Sequence, residues 1–309
     1  VTRNINDPGT TIDDPYYNRS YSQTHFDKVD VSVDISPIRD LNIELQANKI
    51  YTKNISQQLD AVNDYELTPD TFVTRFENNP ISEIGNFSMS FNMIKTAFGE
   101  NADKTFQEFR ANRVQISQRL AAQNNIDIND PLNQNTDGTI VGFGANSQQV
   151  MLPAFVAAYS GKDASSVKTS AFRNVPLPNW TLTYKGLMRM KWFKKTFQSF
   201  TVTHGYRSSY SINNYTNNLL FDKATALTDT DLSGNYYNEK LFSGVNVIEE
   251  FSPLVKVDLK MKNSMSLKAE NRKDRALNLN FNNNTLTEIR GKEYVVGLGY
   301  RIKDLNGSY

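Results

Sequence analysis

Residues 254–300 read LVKVDLKMKNSMSLKAENRKDRALNLNFNNNTLTEIRGKEYVVGLGY. Val255, Val257, Leu259 and Met261 alternate with Lys256, Asp258, Lys260 and Lys262. The alternation resumes with Met265, Leu267 and Ala269 against Lys268 and Glu270, and then with Leu277, Leu279 and Phe281 against asparagines. Tyr294, Val296, Leu298 and Tyr300 close the run. A period of two marks strands with one apolar and one wet face. Four such segments joined by short polar turns predict an antiparallel meander. In a sandwich the apolar face meets a second sheet. In an outer-membrane barrel it meets lipid, and the polar face meets a lumen.

Upstream, Val29, Val31, Val33 and Ile35 and then Leu41, Ile43, Leu45 and Ala47 predict a hairpin turning at Arg39 and Asp40. Phe87, Met89, Phe91 and Met93 predict another strand, as do Trp180, Leu182 and Tyr184, and the run Phe200, Val202, Tyr206 and Tyr210. Between residues 102 and 124 the spacing of Phe106, Phe109, Val114, Leu120 and Ala121 becomes helical, with Asp103 near its start. Residues 150–159 are a short apolar segment that suits one helix of a plug or loop domain.

The expected organisation is an arm and strand hairpin over 1–53, a loop over 54–84 and a strand over 85–99. A helical and loop insertion of cap or plug type follows over 100–175. Strands over 176–212, a long polar loop over 213–244 and a meander over 245–309 complete the chain. Loops this long are uncommon in compact soluble domains and ordinary on one rim of a barrel.

Composition narrows the function classes. The 309 residues carry 34 basic and 33 acidic side chains, so no global field draws the chain to nucleic acid. With no cysteine, a disulfide framework or thiolate metal site is impossible. No stretch has the roughly 20 apolar residues of a membrane-spanning helix, which leaves a barrel open. Val1 opens no signal peptide, so the chain reads as a processed protein or a piece of a longer one.

Candidate chemistry is sparse. His25 and His204 stand alone in strand contexts, where a solvated or hydrogen-bonded histidine is the ordinary case. Gly142-Phe143-Gly144 lacks the third glycine and the strand-to-helix setting of a nucleotide loop. Asp229 and Asp231 imitate a calcium loop whose twelfth position is Lys240 instead of Glu. Glu249 and Glu250 are strand neighbours facing opposite sides, so they are expected to be solvated charges and not an acid/base couple. Trp180, Tyr184, Trp192 and Phe193, near Lys191, Lys194 and Lys195, form an aromatic and basic cluster that suits a membrane interface or a core corner. No catalytic, metal or cofactor set emerges, and the chain is expected not to be an enzyme.

Several segments carry a family resemblance: Gly85-Asn86-Phe87-Ser88-Met89-Ser90, Ile116-Ser117-Gln118-Arg119-Leu120, Pro176-Leu177-Pro178-Asn179-Trp180, His204-Gly205-Tyr206-Arg207-Ser208 and Lys292-Glu293-Tyr294-Val295-Val296. Together they resemble the C-terminal part of the SprA/Sov family, the outer-membrane translocon of the Bacteroidetes type 9 secretion system. The resemblance spans most of residues 25–303. It implies an all-β fold, a transmembrane antiparallel β-barrel that is part of a very large barrel, with long loops and a small helical insertion. It also implies a bacterial outer-membrane location, a role in protein secretion and gliding motility, and secreted cargo proteins as passengers. The implied partners are a PorV-like barrel subunit, a periplasmic plug subunit and the rest of the same barrel chain, with no nucleic acid and no cofactor.

About nine strands are legible, too few to close such a barrel, so the chain is expected to be an arc of it. On this reading Val255, Val257, Leu259, Met265, Leu267, Leu277, Leu279, Phe281, Val296 and Leu298 face outer-membrane lipid. Lys256, Asp258, Lys260, Lys268 and Glu270 face the lumen, and Trp180, Tyr184, Trp192 and Phe193 are interfacial aromatics. The competing expectation is a surface-anchored β-sandwich adhesin, or an outer-membrane barrel without a secretion role. A glycan-binding or hydrolytic enzyme lacks a carboxylate pair.

Overall fold

The computed structural model describes residues 18–64, 73–99 and 102–302. Among the described residues ten strands form one antiparallel sheet: β1 (Asn18–Ile38), β2 (Leu41–Asp64), β3 (Val73–Asn78), β4 (Ser82–Ser90), β5 (Asn179–Tyr184), β6 (Phe197–Asn217), β7 (Lys240–Phe242), β8 (Gly244–Met261), β9 (Met265–Asn280) and β10 (Thr285–Tyr300). The helices are α1 (Ile94–Ala97), α2 (Ala102–Gln123), α3 (Gln148–Ser160) and α4 (Lys191–Thr196). The main path runs β1-β2-β4-β6-β8-β9-β10. Among the described residues no pairing joins β1 to β10, so they are the two ends of this path.

One lane of the sheet is split. The upper half of β2 pairs with β4 through Lys49↔Met89 to Ser56↔Ser82, and its lower half pairs with β5 through Leu41↔Tyr184 to Gln46↔Asn179. β6 does the same on the other side, meeting β4 over Ser209–Thr216 and β5 over Val202–Tyr206. Thus β4 and β5 are two halves of one strand, and residues 91–178 are an excursion from its middle. The seam is closed by short polar side chains. The Ser90 hydroxyl accepts from the Asn48 N–H (3.2 Å), and Asn179 Oδ1 accepts from the Ser208 N–H (2.8 Å).

Several boundaries differ from the sequence reading. The meander has three strands where four were expected, because 265–269 and 277–280 belong to the continuous β9, which turns after Asn280 with Phe281 already in the turn. Its polar middle, Asn271 to Asp274, stays in register with Lys292 and its neighbours on β10. The 54–84 segment contains the end of β2, all of β3 and the start of β4, and β6 runs to Asn217, into the expected 213–244 loop. Neither stretch alternates apolar with polar residues in sequence, so neither shows a period of two. Conversely, the expected strand over 85–99 stops at Ser90, where the chain leaves the sheet for α1. Of the expected arm, residues 18–24 are strand and 1–17 lie outside the described residues.

The core lies between the excursion and the upper half of one sheet face. Phe87, Met89, Tyr210, Ile212, Val245, Val247, Leu277 and Leu279 of the sheet join one buried cluster with Phe109, Ile116 and Leu120 of α2 and most of α3. α3 is apolar all round and buried from Val150 to Ser160, as such a helix must be. It ends at Gly161, whose φ of 63° lies in the left-handed region that glycine adopts freely.

Candidate functional site

In an antiparallel ladder paired residues share a face, so the register sorts the sheet into two surfaces. Face one, in its lower half, carries Val29, Val31, Val33 and Ile35 beside Lys49, Ala47, Leu45 and Ile43. It continues through Trp180, Leu182 and Tyr184, which pair with Tyr206, His204 and Val202 of β6. Val257 and Leu259 follow, opposite Ala269 and Leu267, and then Val296, Leu298 and Tyr300. Apart from Lys49 at its upper edge and His204 within it, this is one apolar band across seven strands. Four alternate residues along β1 span about 20 Å at the usual strand rise.

The band is bare. Tyr294, Val296, Leu298 and Tyr300 are between 68% and 77% exposed, and Val29 to Ile35, Val255 and Met265 are exposed too. The opposite face at the same height carries Asp30, Ser32, Asp34, Asn42, Glu44, Thr181, Thr183, Thr201, Thr203, Lys256, Asp258, Lys260, Ser266, Lys268 and Glu270. Its charges alternate across strands: Lys256 stands opposite Glu270 and Asp258 opposite Lys268, and Lys256 reaches Asp258 at 2.8 Å.

The structure therefore divides the expected lipid-facing set. Val255, Val257, Leu259, Met265, Leu267, Val296 and Leu298 lie in the bare band. Leu277 and Leu279 do not: each is 1% exposed, because the excursion packs over the upper part of the same face. Phe281 packs against that core as well. Among the polar residues, Glu270 is buried beneath Lys268 (3.3 Å) and Arg272, so it is a paired charge and not a free lumenal carboxylate.

The aromatics fall into two groups. At the lower edge Trp192 and Phe193 (4.8 Å between ring centres) meet Phe197 and Phe200, beside the exposed lysines of α4. Tyr184 lies at that level. Trp180 sits at the upper edge of the band, stacked on Tyr206 at 4.5 Å.

Between the bare band and the covered upper half runs a charged belt that sequence reading missed. Glu249 is not solvated: its carboxylate is buried between Arg275 of β9 and the Tyr206 hydroxyl, which donates to it at 2.6 Å. Arg275 also donates to the Thr96 carbonyl and hydroxyl (3.0 Å each) and to the Met93 carbonyl (3.2 Å). Thr96 in turn donates to the Tyr159 carbonyl of α3. The belt thus ties the sheet to the root of the excursion. The i±2 spacing of Tyr206 and Ser208 with the Glu249 register could have suggested it only once pairing was known.

The remaining candidates are structural. His204 contacts the Leu254 carbonyl at 2.7 Å and His25 contacts Asp27 at 3.0 Å, each in its own place. Asp231 caps its turn by accepting from the Ser233 and Asn235 N–H groups. Among the described residues no group of three His, Asp or Glu is arranged to hold a metal ion. Gly142 (φ 83°) lies against the Tyr236 ring, where a Cβ would overlap it. Among the described residues no helix is long and apolar enough to cross a membrane, which says nothing of spanning by strands. The chain matches no protein-family model and no curated protein.

Proposed function

We propose that this chain is an arc of the wall of an outer-membrane, protein-conducting channel, through which folded cargo reaches the cell surface. The observation that carries the reading is the bare apolar band, continuous over seven strands, backed by a polar face of mixed charge. Its run of about 20 Å along the strands is of the order of the roughly 25 Å apolar belt of outer-membrane barrels. The mixed signs suit a wide wet passage, whereas an ion filter needs a ring of one sign at a constriction.

The edges favour a larger assembly. β1 and β10 each pair with one neighbour among the described residues, and an unpaired edge inside a bilayer is too costly to persist. Further strands of the same barrel would cover them. The resemblance of residues 25–303 to type 9 translocons supplies the secretion role, the cargo and the partner subunits. In this arrangement the excursion lies on the lipid side of the wall, above the bilayer, and not in the lumen as a plug.

A sandwich adhesin would need a second sheet over a band whose β10 residues are two-thirds or more exposed. Depleting the protein in its host tests the function. Cargo trapped folded in the periplasm is the expected result, and undiminished surface cargo contradicts it.

A further inference from the structure

We infer that the charged belt above the apolar band holds an anion-binding site for the phosphate of a membrane lipid headgroup. The inference rests on the reading that the band meets lipid. A cavity of about 520 Å³ opens on this face, lined chiefly by Phe98, Leu254, Lys273, Arg290, Lys292 and Tyr294. That is within the roughly 300–1,000 Å³ of small-ligand sites.

Its charge is unbalanced. Arg275 is matched by Glu249 and Arg290 by Glu288 (2.7 Å). Lys273 and Lys292 stand directly opposite each other on β9 and β10, and neither forms an ion pair with a described residue. Like charges in register destabilise a sheet, so the pair calls for an anion between its ammonium groups. Lys273 is already held in place, its Nζ 4.1 Å from the centre of the Phe98 ring.

The position names the anion. Tyr294 lines the cavity and is also the uppermost β10 residue of the band, with Val296 and Leu298 below it on the same face. A phosphate held by the lysines would leave its acyl chains lying along Tyr294, Val296 and Leu298. A free phosphate would use the lysines and leave the apolar wall below them unused. Basic clusters at the membrane surface bind anionic headgroups in this way.

The test places the intact barrel that contains this chain in phosphatidylcholine nanodiscs doped with phosphatidylglycerol or lipid A and counts retained anionic lipid by native mass spectrometry. Wild type and a Lys162→Gln/Lys223→Gln control should retain it equally. Lys273→Gln/Lys292→Gln should lose it by about tenfold or more. Equal retention by that double variant overturns the site while leaving the membrane reading intact. Displacement of the lipid by millimolar inorganic phosphate overturns the lipid assignment. Failure of wild type to enter nanodiscs of any composition overturns the membrane reading and this inference with it.

Discussion

Arg275 on β9 donates through Nε to Glu249 Oε2 on β8 at 3.0 Å, with both side chains at least 97% buried. The two residues are register partners, and the face they share has lipid-sized apolar residues below them and a packed core above. The remaining Arg275 hydrogen bonds go to the root of the excursion, at Thr96 and Met93, and Glu288 of β10 lies 3.9 Å from its guanidinium. The pair is therefore the joint between sheet and excursion.

Breaking that joint from one side leaves a buried charge. Arg275→Met is expected to destabilise the protein by about 3–5 kcal/mol, and adding Glu249→Gln should recover part of the loss. Thermal unfolding of the two variants, with limited proteolysis of residues 91–178, checks both. Equal stability of Arg275→Met and wild type would remove the joint.

Leucines of one face should respond differently according to what covers them. Leu298→Lys in the bare band is expected to cost about 2–4 kcal/mol in a bilayer and little in a polar solvent. Leu279→Ala should cost about 2–5 kcal/mol in either medium, since its partners belong to the chain. Paired denaturation in vesicles and in detergent-free buffer separates them.

Gly85 offers no room for a side chain. A Cβ there would lie 2.1 Å from the Thr52 carbonyl oxygen and 2.5 Å from the Tyr215 hydroxyl. Gly85→Val should push β4 off β2 and lower the melting temperature, whereas Gly234→Asn, in open space with φ 76°, should leave it nearly unchanged.

Burial pushes the Tyr159 phenol up to about 12, with the Glu288 carboxylate adding to the effect. A raised folded-state value means the stabilisation is complete below about pH 10 and is lost as pH rises toward 12. Tyr159→Phe should therefore lose less stability than wild type between pH 10 and 12. Identical alkaline profiles would show that Tyr159 does not contribute.

Strand existence was legible wherever one face stayed uniform: Val29 to Ile35, Leu41 to Ala47 and Val255 to Leu259 all fall in strands with the expected alternation. The two long helices were legible as well, from the period of α2 and the apolar run of α3. What a face touches was not. Leu279 and Leu298 have the same pattern in sequence, yet one lies under α3-side packing and the other is bare, because only the excursion from the split lane decides which half is covered. The Glu249 environment was hidden for the same reason, since its partners Arg275 and Tyr206 come from 26 and 43 residues away.

The central claim is that one face of the lower sheet meets lipid and the other meets water. The chain contains no cysteine, so single cysteines at successive positions 265–270 of β9 can be introduced without background. In the assembled outer membrane, cysteines at 266 and 268 should react with a water-soluble maleimide. Those at 265, 267 and 269 should resist it and react with a membrane-soluble reagent, while 270 should be slow with both. Equal reactivity of 265, 267 and 269 with the water-soluble reagent would contradict the account.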